Sequence, residues 1–289
     1  MAQSPSHKFG QIIGNLLEGI VHPLLQEFCD TKNLYLDYQG NQRNARKGKK
    51  VSWTDNFGNQ HDLDYVIEQY GSDKQIGNPL AFIEVAWRRY TKHSRNKAQE
   101  IQGAILPLAE KYQHNNPFLG VILAGTFTAS AIEQLESLGF CVLLFPYHTM
   151  VTAFRSEGIE IQFDEDTPDK VFQQTVDEIE NSPKELLANI EAHLIKENQL
   201  AINDFIRTLN KRFERVVERI LIIPLYGRTS EFLSFEAALQ FLKAHNIYEG
   251  SGQFRKYEVM VIFSNGDKVE AEFKAKAKVQ DFLQFMVSS

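Results

Sequence analysis

Three short, nearly continuous apolar runs, LAFIEVAW (80–87), FLGVILAGT (118–126) and FCVLLFPY (140–147), constrain the fold of this chain more than any other feature. Each has the length of one strand, and unbroken apolar runs of that length mark strands covered on both faces. Between the first two lies HSRNKAQEIQGAILPLAEKYQ, where Ala98, Ile101, Ile105, Leu108 and Tyr112 form a helical stripe. Between the second and third, TASAIEQLESLG has a helical pattern closed by a glycine stop signal. Strands alternating with helices predict an α/β domain.

Upstream, FGQIIGNLLEGIVHPLLQEFC carries Ile12, Ile13, Leu16, Leu17, Ile20, Val21, Leu24, Leu25 and Phe28 at helical spacing, and NLYLDYQG reads as a strand. LDYVIE is rich in β-branched and aromatic residues, and the turn formers of YGSDKQIGNP join it to LAFIEVAW as a hairpin-like pair. With 43% hydrophobic and 11% aromatic residues, 289 residues suffice to bury a full core. No run approaches the roughly eighteen apolar residues of a membrane span, and MAQSPSHKFGQII lacks a secretory pattern, so no membrane partner and a cytoplasmic location are expected. Cys29 and Cys141 lie in apolar surroundings far from any CxxC spacing, which predicts buried thiols rather than a zinc site or a disulfide.

The formal net charge of −6 argues against a nucleic-acid partner, but the distribution of charge argues the other way. Arg43, Arg46, Lys47, Lys49 and Lys50 form one run without an acid, and Arg88, Arg89, Lys92, Arg95 and Lys97 form another. Taken alone, each run also fits a solvated face. Between them stand two acids: Asp64 at the start of one strand and Glu84 inside the next. A carboxylate among Phe82, Ile83 and Val85 is costly unless it is exposed, paired or metal-bound. If the two strands pair antiparallel, Asp64 and Glu84 come within reach of one divalent cation. Asp62 competes with Asp64, and Asp64 is preferred because it directly precedes Tyr65, Val66 and Ile67.

Asp64, a loop, then IEVA followed by a basic helix resembles the core of the PD-(D/E)XK nuclease superfamily, the restriction-endonuclease-like fold. The element order over residues 8–150 is similar to that αβββαβ core, so the resemblance implies a mixed central sheet. It implies a Mg²⁺-dependent endonuclease that hydrolyses phosphodiester bonds of double-stranded DNA at a short specific sequence, in the manner of a type II restriction enzyme. It further implies Asp64, Glu84 and the Val85 carbonyl as metal ligands, a homodimer, and a cognate DNA methyltransferase in the same system. Ala86 departs from the family pattern, which has lysine there. Lys97, on the helix that follows, is the first choice for a displaced catalytic lysine, with Lys92 and Arg88 behind it. Arg46, Lys47, Lys49, Lys50, Arg88, Arg89, Lys92 and Arg95 are expected to hold DNA phosphates. Glu18 is a second-tier addition to the metal shell. His61 and His148 are read as structural, and Trp53 and Trp87 as core packing ahead of base stacking.

The acidic, turn-rich EIQFDEDTPDKVF marks a boundary, dividing a catalytic core at 1–160 from an extension at 161–289. The extension reads as one long helix or a helical pair, a strand RILIIPLYG, a helix, a hairpin at Asn265-Gly266 and a closing helix, an α+β module for recognition, dimerisation or packing. Two rivals stand beside the restriction enzyme: a repair or recombination nuclease of the same fold that reads DNA structure, and a catalytically inactive DNA-binding or defence protein. A metabolic enzyme has neither a glycine-rich phosphate loop nor a nucleophile constellation in its favour.

Overall fold

The computed structural model describes residues 4–91, 94–183, 185–214, 216–225, 228–245 and 254–288. The chain opens on α1 (Pro5–Lys32), a helix that starts well for local reasons: Ser4 accepts a hydrogen bond from the His7 N–H, and Pro5 occupies the first turn. It ends at Asn33, whose φ of 54° is the left-handed closure that asparagine tolerates. Its apolar face, Phe9, Ile13, Leu17, Ile20 and Leu25 among others, is fully buried.

A five-stranded sheet follows, in the order β1 (Tyr35–Tyr38), β4 (Tyr65–Gln69), β5 (Asn78–Arg88), β6 (Phe118–Gly125) and β7 (Phe140–Pro146). The sheet is mixed: β4 runs antiparallel to both its neighbours, β1 and β5, and β5, β6 and β7 run parallel. Parallel neighbours need crossovers, supplied by α2 (Ser94–Lys111) and α3 (Ala129–Ser137). The helical stripe Ala98, Ile101, Ile105 and Leu108 packs with Phe82, Ala86, Val121 and Leu123 in one buried cluster. A hairpin of β2 (Val51–Thr54) and β3 (Gln60–Leu63), paired only with itself, closes the same cluster through Val51, Trp53 and Leu63. On the opposite face, α1 packs on β5, and α4 (Tyr147–Ser156) packs on β6 and β7.

The boundary expected after residue 160 falls elsewhere. The chain divides into two units, 1–206 and 207–289, so the segment 161–206 belongs with the first. The acidic stretch misleads because apolar residues alternate with exposed polar ones at its start: Ile159, Ile161 and Phe163 are buried, while Glu160, Gln162 and the acids at 164–166 face out. Phe163 packs edge-on against Phe9 at 5.2 Å and against Phe172 at 4.4 Å between ring centres. That aromatic knot ties α5 (Asp169–Asn181) to α1, and α6 (Glu185–Glu197) packs against α1 and α4. The division falls within α7 (Gln199–Phe213).

The second unit is a four-stranded antiparallel sheet in the order β11 (Lys268–Phe273), β10 (Tyr257–Phe263), β8 (Val217–Pro224), β9 (Ser230–Phe232). Helices α8 (Phe235–Ala244) and α9 (Lys276–Ser288) bury Leu242 and Leu283 against Ile220, Ile222 and Val259. Gly266, at φ 84°, makes the turn between β10 and β11.

Candidate active site

Asp64 occupies a single bend between β3 and β4, and Glu84 lies in β5, the central strand of the sheet. Tyr65 pairs with Ile83 in the antiparallel register, so one step further the two carboxylates face each other across the strand pair. The Val85 N–H donates to Asp64 Oδ2 at 2.8 Å, which fixes the aspartate against β5. Glu84 shares its strand face with Phe82 and Ala86, which lie in the cluster beneath α2, and only 9% of it is exposed.

Burial, the larger effect, and the charge of Asp64 together push the Glu84 carboxyl up to about 8, against the partial relief of Lys97. Burial also raises Asp64, with the Val85 N–H and Lys97 pulling it back. A buried and a half-buried acid in contact are one positive charge short of comfort. Lys97, in the first turn of α2, is a cation whose charge acts on both, and its Nζ also stands 3.4 Å from Glu100. Glu18 on α1 completes the acidic side: burial first and Asp64 second raise its carboxyl, and burial, Glu18 and Asp64 raise the Tyr65 hydroxyl.

The donor set suits a hard divalent cation. Mg²⁺ binds through one or two carboxylates and keeps several waters, and Asp64, Glu84 and the Val85 carbonyl are oxygen ligands of that kind. Among the described residues, no three His, Cys, Asp or Glu side chains cluster at metal-binding spacing, so water would complete the shell.

The expected phosphate-holding residues separate. In the first basic run, Arg46 is committed internally, with Nη2 at 2.8 Å from Asp37 Oδ1 and its side chain only 12% exposed. Arg43 is buried outright, bridging Asp37 and Glu68 with contacts of 2.9 and 2.6 Å and lying over the Tyr35 ring. This network pins the 41–50 loop to β1 and β4, and it leaves Lys47, Lys49 and Lys50 exposed, the last paired with Asp62. Asp62 also accepts from the Ser52 hydroxyl, so both of its oxygens are engaged within the β2–β3 hairpin and its approach. In the second run, Arg88 and Arg89 stand at the end of β5 and Arg95 is exposed on α2; Lys92 lies outside the described residues. Arg88 approaches Glu100 at 3.8 Å, while the Arg89 guanidinium is held over the rings of both Tyr90 and Phe172 at 4.2 Å.

His61 pairs with Asp55 at 3.0 Å within the β2–β3 hairpin, and His148 begins α4. Trp53 is buried in the core, whereas Trp87 is half-buried beside a cleft of about 640 Å³. That cleft runs from the Val85 end of the site between β5, Lys97 and the first turns of α1. Sequence reasoning passed over it, although Gly10 and Gly14, one turn apart in an otherwise good helix, were the visible signal.

No family model matches this chain, and no curated protein matches it. A crystal structure of a protein of unknown function aligns over 65% of this chain and 98% of its own, at 13% identity and a TM-score of 0.31, a likeness too slight to carry an argument. No helix among the described residues is long and apolar enough to cross a membrane.

Proposed function

We propose that the first unit is a Mg²⁺-dependent DNA endonuclease of the restriction-endonuclease-like, PD-(D/E)XK type. The observation that carries this reading is the facing pair Asp64 and Glu84, the first half-buried and the second buried, at the junction of β4 and β5, with Lys97 acting on both. The strand order β1-β4-β5-β6, antiparallel then parallel, supports it, since it matches the sheet expected of that core, with the β2–β3 hairpin as an insertion.

Asp64, Glu84 and the Val85 carbonyl would hold the metal. When bound, Mg²⁺ supplies an acidified water and positive charge beside the scissile phosphate. Lys97 takes the place left by Ala86: it orients that water and offsets charge growing on the phosphate oxygens. Arg88 and Arg95 line the approach on the α2 side, Arg89 stands on the α1 side over the Phe172 ring, and Lys47, Lys49 and Lys50 present a second basic stretch to the DNA backbone. In the restriction-enzyme form of this reading, the protein acts as a homodimer on duplex DNA, with a companion methyltransferase protecting the site. The internal commitment of Arg46 and the cleft beside Trp87 favour a second form, a nuclease of the same fold that reads DNA structure. Incubation of plasmid and branched DNA with Mg²⁺ separates them: discrete fragments from plain duplex support the first, and cutting confined to branched or frayed DNA supports the second.

A further inference from the structure

The cleft beside the carboxylates carries more than its charge. One wall is the end of β5, where Trp87, Arg88 and Arg89 follow Val85; the other is the start of α1, with Ser6 and His7; and Lys97 closes the side nearest the acids. The first turn of α1 holds no acidic residue and is capped only by the uncharged Ser4 hydroxyl, so the positive end of a 28-residue helix faces the cleft without a carboxylate of its own to offset it. The floor is kept open by glycine. A Cβ on Gly14 would meet nothing within 4 Å, and one on Gly10 would meet only the Trp87 ring, at 4.0 Å. Glycine in a helix interior is unfavourable by about 1 kcal/mol relative to alanine, and no packing in the fold requires it at position 14. What these two glycines provide is width next to a half-buried indole.

An aromatic face, two arginines, a lysine and a helix start free of acidic side chains in one cleft are parts with which proteins hold a single strand: bases stack, and phosphates meet cations. The rigid rod of a duplex, about 20 Å across at 1.7 Å of rise per charge, presents its bases stacked inside and offers the indole nothing. We propose that this cleft is a subsite for a single-stranded DNA segment, with one base against Trp87 and its phosphate between Arg88, Arg89 and the start of α1, leading the strand to Asp64 and Glu84. The inference deepens the nuclease reading and rests on it for the position of the scissile phosphate.

The test uses the full chain in EDTA, so that binding is read without cleavage. A labelled, 5′-phosphorylated oligothymidylate is titrated by anisotropy, with tryptophan fluorescence followed in parallel and a blunt duplex of equal length as competitor. Binding with quenching that disappears in Trp87→Phe is expected, with the duplex a poor competitor. Gly14→Leu fills the cleft from a position with room for its Cβ, and it should lower affinity about tenfold, the scale of one lost stacked base, while leaving the unfolding midpoint unchanged or higher. Equal affinity in a folded Gly14→Leu protein, equal competition by duplex, or no binding by the wild type overturns the proposal. A protein that binds the strand but never cuts DNA with Mg²⁺ overturns the nuclease reading alone; one that cuts duplex and ignores the strand overturns the cleft alone.

Discussion

Replacing Glu84 by glutamine should make the metal-free protein more stable, against the usual expectation for a change at a buried strand position. The native Glu84 carboxyl keeps its proton to about pH 8, held there by burial and by Asp64, whereas in the unfolded chain it loses it near 4.5. Between those values the native state binds more protons, so stability falls as the pH rises through that window. At pH 7 the unfolded carboxyl is 7 − 4.5 = 2.5 pH units past its midpoint, and at about 1.4 kcal/mol each the linkage costs roughly 3 kcal/mol. Glutamine keeps the shape and the hydrogen-bonding capacity of the protonated acid without that linkage. Urea unfolding of wild type and Glu84→Gln in EDTA at pH 4, 7 and 9 checks the reasoning. The variant should match the wild type at pH 4, exceed it by roughly 3 kcal/mol at pH 7 and by more at pH 9. Added Mg²⁺ should then stabilise the wild type and not the variant. A variant that is less stable than wild type at pH 7, or a gap that does not grow with pH, would refute the argument that Glu84 is a strained acid awaiting a cation.

Other outcomes follow from the same geometry. Arg43→Met should destabilise the first unit by about 3–5 kcal/mol in denaturant unfolding, because it leaves Asp37 and Glu68 buried without their shared guanidinium. By contrast, Lys50→Ala, which breaks only an exposed pair with Asp62, should cost under about 1 kcal/mol in the same measurement. Gly14→Ala should raise stability by about 1 kcal/mol, since helix propensity improves and the added methyl meets no neighbour. In a cleavage assay at saturating DNA, Lys97→Met should lower the rate about 10²-fold or more, and an equal rate would remove Lys97 from the site.

Much of the first unit was legible because its strands and helices differ in period. The apolar runs at 118–126 and 140–147 can only be covered strands once helical stripes flank them, and they are β6 and β7. Asp64 and Glu84 were legible for a related reason, one acid before a strand and one inside it, with antiparallel pairing placing them together. The first basic run misled because sequence counts charges without partners: Arg43 and Arg46 answer Asp37 and Glu68, and Glu68 lies 25 positions from Arg43 in the chain. The domain boundary misled because an acidic segment was judged by its charges, while Ile159, Ile161 and Phe163, alternating with exposed Glu160 and Gln162, reach into the core. The β2–β3 hairpin escaped notice because two four-residue strands, half exposed, carry little periodic signal. The cleft escaped because it joins the start of α1 to residues some eighty positions later, a juxtaposition made by packing and by no local pattern.

The most direct test of the account is cleavage of supercoiled plasmid and phage DNA by the purified protein with Mg²⁺, Mn²⁺ or EDTA, beside an Asp64→Asn, Glu84→Gln double variant shown to be folded. Metal-dependent breakage by the wild type, lost in EDTA and lost in the variant, is the predicted result. Intact DNA with every metal, or breakage that the double variant retains, would contradict it.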